Sequence, residues 1–282
     1  MKDSIQTRIL LEIVLILNHL LILSIIQGFT EFLPISSSSH LIIIPKIMSW
    51  PDQGLVFDVA VHVGTLGAVI IYFHRDLFNI LIGLIKLCLG KKDPRARLLV
   101  NIIISTLPIV FVGYFFVEYV ENYFRSAELI GWVTILFGIF LYLIDKFSLR
   151  VKKIVHLDYK DSLVVGFFQA MALIPGVSRS GVSITILRFL GYEREDATFF
   201  SMLLSIPTIS LSGIWLFQKL YKMEDVSFNN DIFLATIVSF ITALISITFL
   251  MRWVRRSNFT VFVIYRLILG FIILSFSYLG ML

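Results

Sequence analysis

Residues 162–190 read SLVVGFFQAMALIPGVSRSGVSITILRFL, and how this stretch sits in a membrane decides the fold. It is long and apolar enough to span, since a hydrocarbon core about 30 Å thick needs roughly 20 mostly apolar residues in a helix. Yet Pro175-Gly176 interrupts it, and Arg179 follows the break. Irregular backbone at membrane depth is tolerated only where it is buried in protein or lines a wet cavity, because each unsatisfied polar group costs several kcal/mol in lipid. The stretch therefore predicts two half-helices meeting at a polar tip.

The surrounding sequence is that of a membrane protein. Of 282 residues, 58% are hydrophobic and 15% charged, against about 25% charged in soluble domains. Leu55 to Phe73, Leu98 to Val117, Ala127 to Ile144, Ala197 to Phe217, Ile232 to Met251 and Phe259 to Leu282 each have the length and composition of a span. Three loops are basic: Lys91, Lys92, Arg95 and Arg97; Lys146, Arg150, Lys152, Lys153 and Lys160; Arg252, Arg255 and Arg256. The positive-inside bias puts all three in the cytoplasm. The mixed or acidic Glu118 to Arg125 and Lys219 to Asp231 loops suit the outer face. Between the second basic loop and the outer Lys219 loop lie two apolar blocks, and two full crossings would end on the wrong side. The parity is restored if residues 162–190 enter from the cytoplasm and return there.

The chain is internally duplicated. Gln27 and Gln169 lie 142 residues apart, and each precedes a proline and then a serine nine residues on, Ser36 and Ser178. The same offset pairs Phe57 with Phe199. The expected fold is a single all-α integral membrane domain over residues 1–282. It is a polytopic helical bundle with an inverted-topology repeat (halves about 9–145 and 162–282) and two re-entrant helix pairs whose tips meet near mid-membrane. Leu77 to Leu89 would be a short dip or an interfacial helix. The run Ile9 to Ile26, with Glu12 and Asn18 and no small-residue cleavage site, is expected to be retained. It is either the first arm of the outer pair or a full crossing; the first choice leaves Lys2 and Arg8 outside, against the charge bias.

The chemistry gathers on the two tips. The first is QGFTEFLPISSSSH from Gln27 to His40; the second is PGVSRSGVSI from Pro175 to Ile184. Arg179 at depth is costly, roughly 2.5–3.5 kcal/mol on insertion scales, and marks function by default. Its planar fork matches phosphate oxygens, and Ser178, Ser180, Ser183 and backbone N–H groups at a helix start would add neutral donors. Glu31 would repel a phosphate unless it carried a cation or proton, so it points to a divalent metal, Mg2+ or Ca2+. His40 has the chemistry of a nucleophile or a general acid/base, and Ser36, Ser37 and Ser38 offer a nucleophile or further donors. The bland readings are that serines pack helices and that Arg179 and Glu31 only neutralise each other. Convergence of the groups on both tips favours a site. Asp58 and His62, four apart on one helix face, read equally as its support or as a satisfied polar pair. His19, His74 and His156 have no expected catalytic role. A single cysteine, Cys88, leaves no internal disulfide or thiolate metal cluster, and the net charge of +5 reads as loops facing anionic lipid, with no nucleic-acid partner.

At these residues the sequence resembles the undecaprenyl pyrophosphate phosphatase family. The first tip is similar to its (E/Q)xxxE-F-L-P-(I/V)-S-S motif and PGVSRSG to its P-G-x-S-R-S-G motif. FDVAVHVGT at 57–65 and IYR at 264–266 also resemble family sequence. The resemblance implies a metal-dependent hydrolase of the bacterial cytoplasmic (inner) membrane. Such an enzyme removes the terminal phosphate of a polyprenyl pyrophosphate lipid, regenerating the carrier for cell-wall synthesis and conferring bacitracin resistance, on an inverted-repeat fold that is often a homodimer. It further implies roles for Glu31 with a metal, for Ser37 or His40 in attack, for Arg179 on the phosphates, and for Gln27, Ser36, Ser38, Ser178, Ser180 and Ser183 in substrate binding. The sequence departs from the family in three places: Gln27 for a second glutamate, Ser39 for a glycine, which would strain any left-handed backbone there, and Ser183 for a threonine. The reading from another class is a transporter or flippase for a lipid phosphate or small anion, since broken helices in inverted repeats are also transporter architecture.

Overall fold

Asp93, Ser126 and Asp158 each end a loop by accepting a backbone N–H of the helix that follows, as capping residues do. The bond from the Arg95 N–H also holds the Asp93 carboxyl below its ordinary value. The computed structural model describes residues 17–51, 53–91, 93–221 and 230–281, and among these the regular elements are helical. They are α1 (Leu17–Thr30), α2 (Ser37–Ile47), α3 (Gly54–Tyr72), α4 (His74–Cys88), α5 (Pro94–Tyr123), α6 (Ala127–Phe147), α7 (Tyr159–Ala170), α8 (Arg179–Phe189), α9 (Arg194–Tyr221), α10 (Asn230–Trp253) and α11 (Thr260–Tyr278).

Six of them, α3, α5, α6, α9, α10 and α11, are long and apolar enough to cross a membrane, and they match the six apolar runs. α4, with 15 residues, falls short of a crossing. The helices outrun the apolar sequence: α5 continues through Tyr123, so most of the expected Glu118 to Arg125 loop is its last turns. Intrahelical hydrogen bonding does not stop where apolar side chains do. Lys2, Arg8, Glu12 and the rest of 1–16, Lys92, and 222–229 of the Lys219 to Asp231 loop lie outside the described residues.

The three basic loops come to one end. Arg255 pairs with Glu195 at 2.9 Å, Asn101 donates to the Leu157 carbonyl, and Arg97 stands over the Tyr159 ring. A buried ion cluster joins the ends of α6 and α8 to the starts of α9 and α11. Asp145 at the end of α6 accepts from Arg188 at 3.0 Å and from Arg194 at 2.8 and 2.9 Å, and also from the Phe259 N–H. Arg188, fully buried, donates as well to the Tyr192 carbonyl. Burial and the neighbouring Asp161 carboxylate, which accepts from the Tyr192 hydroxyl at 2.7 Å, raise that phenol above its ordinary value.

Without a hydrophobic force between helices in lipid, close approach at small residues drives packing. A Cβ on Gly64 of α3 would lie 2.4 Å from the Thr236 carbonyl of α10, and one on Gly131 of α6 would lie 2.8 Å from Leu274 of α11. α9 runs through the middle, with Phe200, Leu203 and Leu204 fully buried. The two interrupted segments enter this bundle. α1 and α2 are joined by residues 31–36, and α7 and α8 by a short 3-10 turn, Met171–Leu173, and residues 174–178. Trp50, just past α2, stacks on His19 of α1 with ring centroids 4.2 Å apart, so the outer ends of that pair lie together. The Tyr192–Asp161 bond does the same for α7 and α8 at the basic end.

A candidate phosphate site between two broken helices

Each broken segment turns on a serine. Ser36 has φ 73° and Ser178 φ 70°, a left-handed conformation that costs a non-glycine residue roughly 1–2 kcal/mol. Each serine begins a half-helix, α2 or α8, and they are the expected repeat mates. The strain is therefore at Ser36, not at Ser39, where glycine was expected: Ser39 lies inside regular α2, and the sharp reversal falls one turn earlier, where the chain leaves the Pro34 turn. Such outliers persist where surrounding contacts over-determine them. Those contacts come chiefly from Arg266 of α11, fully buried. It donates to the carbonyls of Thr134 (3.1 Å), Pro34 (3.4 Å), Val177 (3.1 Å) and Gly176 (2.8 Å), and so holds both tips at once. Ser180 adds a direct tie, its hydroxyl donating to the Leu33 carbonyl at 2.9 Å.

Held this way, Glu31 and Arg179 meet, with Arg179 Nη2 donating to Glu31 Oε1 at 2.8 Å. The other carboxylate oxygen accepts from Ser37 Oγ at 2.6 Å and from Gln27 Nε2 at 2.9 Å, while His62 Nε2 stands 4.0 Å from it. Arg179 Nη1 is buried with no hydrogen-bond partner among the described residues. A guanidinium with one arm anchored and the other unpaired among the described residues is suited to an anion.

His40 is placed differently. Its Nδ1 lies 2.7 Å from the Ser36 carbonyl, an obligate acceptor, so Nδ1 carries the proton; Nε2, 2.6 Å from the Tyr265 hydroxyl, accepts from it. Both ring nitrogens are thereby engaged. Ser178 Oγ accepts from the Gly181 N–H and caps α8, Ser36, Ser38 and Ser39 form a chain of hydroxyls, and Ser183 Oγ is buried with no partner among the described residues.

A cavity of about 740 Å³ adjoins the pair, within the usual range for small-molecule sites. Ser37, Ser38, Asp58, His62 and Pro175 line it, as do Lys46, Arg125 and Lys219. These three cations lie at or beyond the ends of α2, α5 and α9 remote from the basic loops, so the cavity opens at the end opposite the Asp145 cluster. Apolar walls come from Leu23, Leu41, Ile42, Leu173 and Leu216.

The structure thus gathers Glu31, Arg179, Ser37 and Gln27 in direct contact and brings His62 beside them. Sequence reasoning gave no role to Tyr265, Arg266 or Thr134. The first two stand in the IYR stretch, and a charge at the depth of Arg266 carries the same signal that singled out Arg179. No group of three or more His, Cys, Asp or Glu side chains that would hold a metal by itself occurs among the described residues. The oxygens of Glu31 and Ser37 fit a hard cation only where phosphate and water supply its remaining ligands, the usual way Mg2+ is held.

Comparison with known proteins follows the same outline. Residues 20–272 match the family described as bacitracin resistance protein BacA. An undecaprenyl-diphosphatase of Ruegeria pomeroyi is 44% identical over 264 residues, 93% of this chain and 99% of that protein. One from Jannaschia sp. is 44% identical over 92% of this chain and 98% of its own, and one from Aliivibrio salmonicida is 45% identical over 88% and 93%.

Proposed function

The chain belongs to the bacitracin resistance protein BacA family, and from that premise we propose that the Glu31–Arg179 site hydrolyses undecaprenyl pyrophosphate to undecaprenyl phosphate and inorganic phosphate. The protein is a multi-pass membrane phosphatase; the product is the lipid carrier of cell-wall synthesis, and its regeneration is the basis of bacitracin resistance. The observation that carries the chemistry is one carboxylate shared between an arginine and a serine, at 2.8 and 2.6 Å.

Ser37 is the nucleophile in this reading. Glu31 is within reach to take the hydroxyl proton as Oγ attacks the terminal phosphorus, and the bond from that phosphorus to the bridging oxygen breaks, releasing lipid phosphate. Water then cleaves the phosphoserine. Arg179, anchored through Nη2, offers Nη1 to the phosphate oxygens, where a preorganised donor is worth most as charge spreads in the transition state. His40, tied to Tyr265, holds the strained Ser36 carbonyl and keeps Ser37 in line. Gln27 orients Glu31, and the hydroxyls of Ser38 and Ser183 are the remaining donors toward phosphate. Mg2+ or Ca2+, held by Glu31 and Ser37 together with substrate oxygens, would neutralise phosphate charge.

The fold reading that accompanies this is an inverted repeat with two re-entrant pairs, α1–α2 from one side and α7–α8 from the other. The matched left-handed serines 142 residues apart, the His19–Trp50 stack and the Tyr192–Asp161 bond support it. With the basic loops inside, the cavity opens on the outer face of the cytoplasmic membrane, and the polyprenyl tail leaves along its apolar wall.

Purified protein in detergent tests the reading, because a micelle has no two sides between which to transport. Phosphate release from the lipid pyrophosphate, abolished by chelator and restored by Mg2+ or Ca2+, with a phosphoenzyme trapped on Ser37 and missing from Ser37→Ala, is the expected result. No release with any divalent cation would overturn the hydrolase; a trapped phosphohistidine at His40 would overturn the assignment of Ser37.

A further inference from the structure

A second cavity, about 590 Å³, shares no lining residue with the one beside the phosphate site and lies along the last turns of α10 at the basic end. Its lower wall is apolar, formed by Leu244, Ile245 and Phe249, and Ile245 and Phe249 are about half exposed. Arg252 and Arg256 close the top. They are four residues apart, Arg252 in the last turn of α10 and Arg256 in the turn just past it, and both are exposed; neither pairs with a carboxylate among the described residues. Their neighbour Arg255 is paired with Glu195. Among the described residues no acidic side chain lines the groove. Trp253 is fixed beside it, its indole N–H donating to the Asn258 carbonyl at 2.9 Å and its ring packed on Phe249. Tryptophan so placed marks the water–lipid boundary. Leu244 is eight residues before Arg252, so the apolar wall descends roughly 12 Å below the cations at 1.5 Å per residue.

We propose that this groove binds an anionic phospholipid of the leaflet facing the basic end, its phosphate between Arg252 and Arg256 and an acyl chain against Leu244, Ile245 and Phe249. Charge selects the occupant. Two unpaired cations above an apolar wall reject an uncharged detergent or sterol as a preferred ligand and give a zwitterionic headgroup no partner for its ammonium. An anionic headgroup satisfies both arginines, as in other basic pockets at the cytoplasmic boundary.

Native mass spectrometry of the full chain, titrated with phosphatidylglycerol or phosphatidylcholine, reads this directly. One phosphatidylglycerol should be retained in preference to phosphatidylcholine. Each arginine beside an anionic headgroup is worth about fivefold in affinity (about 1 kcal/mol), so R252Q/R256Q should bind roughly 25-fold more weakly. R255Q should bind within twofold of the wild type, and R252K/R256K should recover most of the loss. Hydrolysis in phosphatidylcholine vesicles should be unchanged in R252Q/R256Q, which shows the variant to be folded and separates this proposal from the assignment of the phosphate site. Equal binding of the two lipids, undiminished phosphatidylglycerol binding by R252Q/R256Q, displacement by equimolar inorganic phosphate, or tighter binding of undecaprenyl phosphate at the same arginines would each overturn it.

Discussion

The contact between Arg179 and Glu31 is either a structural ion pair or the reacting centre, and the two alternatives part company in a double variant. In Arg179→Met, Glu31 keeps its bonds from Ser37 and Gln27 but loses its cation at 8% exposure. Breaking a buried pair from one side costs 3–5 kcal/mol; with two donors retained, about 3 kcal/mol is expected here. Adding Glu31→Gln removes the stranded charge, and a neutral pair of similar volume should bring stability back to within about 1 kcal/mol of the wild type. Hydrolysis should not return. Loss of a phosphate-binding arginine costs about 10³-fold or more in turnover, and glutamine cannot take the Ser37 proton. The measurement is thermal unfolding in detergent alongside phosphate release for both single variants and the double. A double variant that regains stability and hydrolyses within tenfold of the wild type would refute the catalytic reading and leave only an ion pair.

Three further outcomes follow from contacts elsewhere. Arg266→Lys keeps a charge but reaches at most some of the four carbonyls that the guanidinium serves; with unsatisfied buried groups at about 1–3 kcal/mol each, unfolding in detergent should occur at least 2 kcal/mol earlier, with hydrolysis lost. Tyr265→Phe removes the donor to His40 Nε2 and should lower turnover about tenfold, with lipid KM unchanged and stability down by about 1 kcal/mol, seen in steady-state kinetics and a melting curve. Gly64→Ala places a methyl 2.4 Å from the Thr236 carbonyl, so α3 and α10 must separate; a loss of about 1–3 kcal/mol is expected in the same melting assay, with hydrolysis at low temperature retained.

The spans were legible because length and hydropathy alone fix them in lipid, and the break at Pro175-Gly176 because proline and glycine act locally. Glu31 and Arg179 were legible as charges at a depth where charge is costly. Their meeting was expected from the duplication and the loop charges, and the structure adds the bond itself, Arg179 Nη2 to Glu31 Oε1 at 2.8 Å. The partner of His40 shows the limit most plainly: the Tyr265 hydroxyl that engages its ring lies 225 positions away in sequence. Arg266 was hidden in a different way, inside an apolar run read for its length, although its charge was visible there. The Asp145–Arg188–Arg194 cluster was missed because its members stand singly at the ends of apolar runs, 43 and 49 positions apart, and were given no reading.

Arg266 also sets an order of assembly. α11 follows every other described helix, so as a nascent chain leaves the ribosome and inserts, the carbonyls of Pro34, Gly176 and Val177 wait without the guanidinium that joins them. In that interval the tips can meet through their direct bonds, Ser180 to the Leu33 carbonyl and Arg179 to Glu31, but the guanidinium that holds both strained turns waits for residues 260–278. A chain released early therefore carries the reacting groups without the arginine that joins their two backbones.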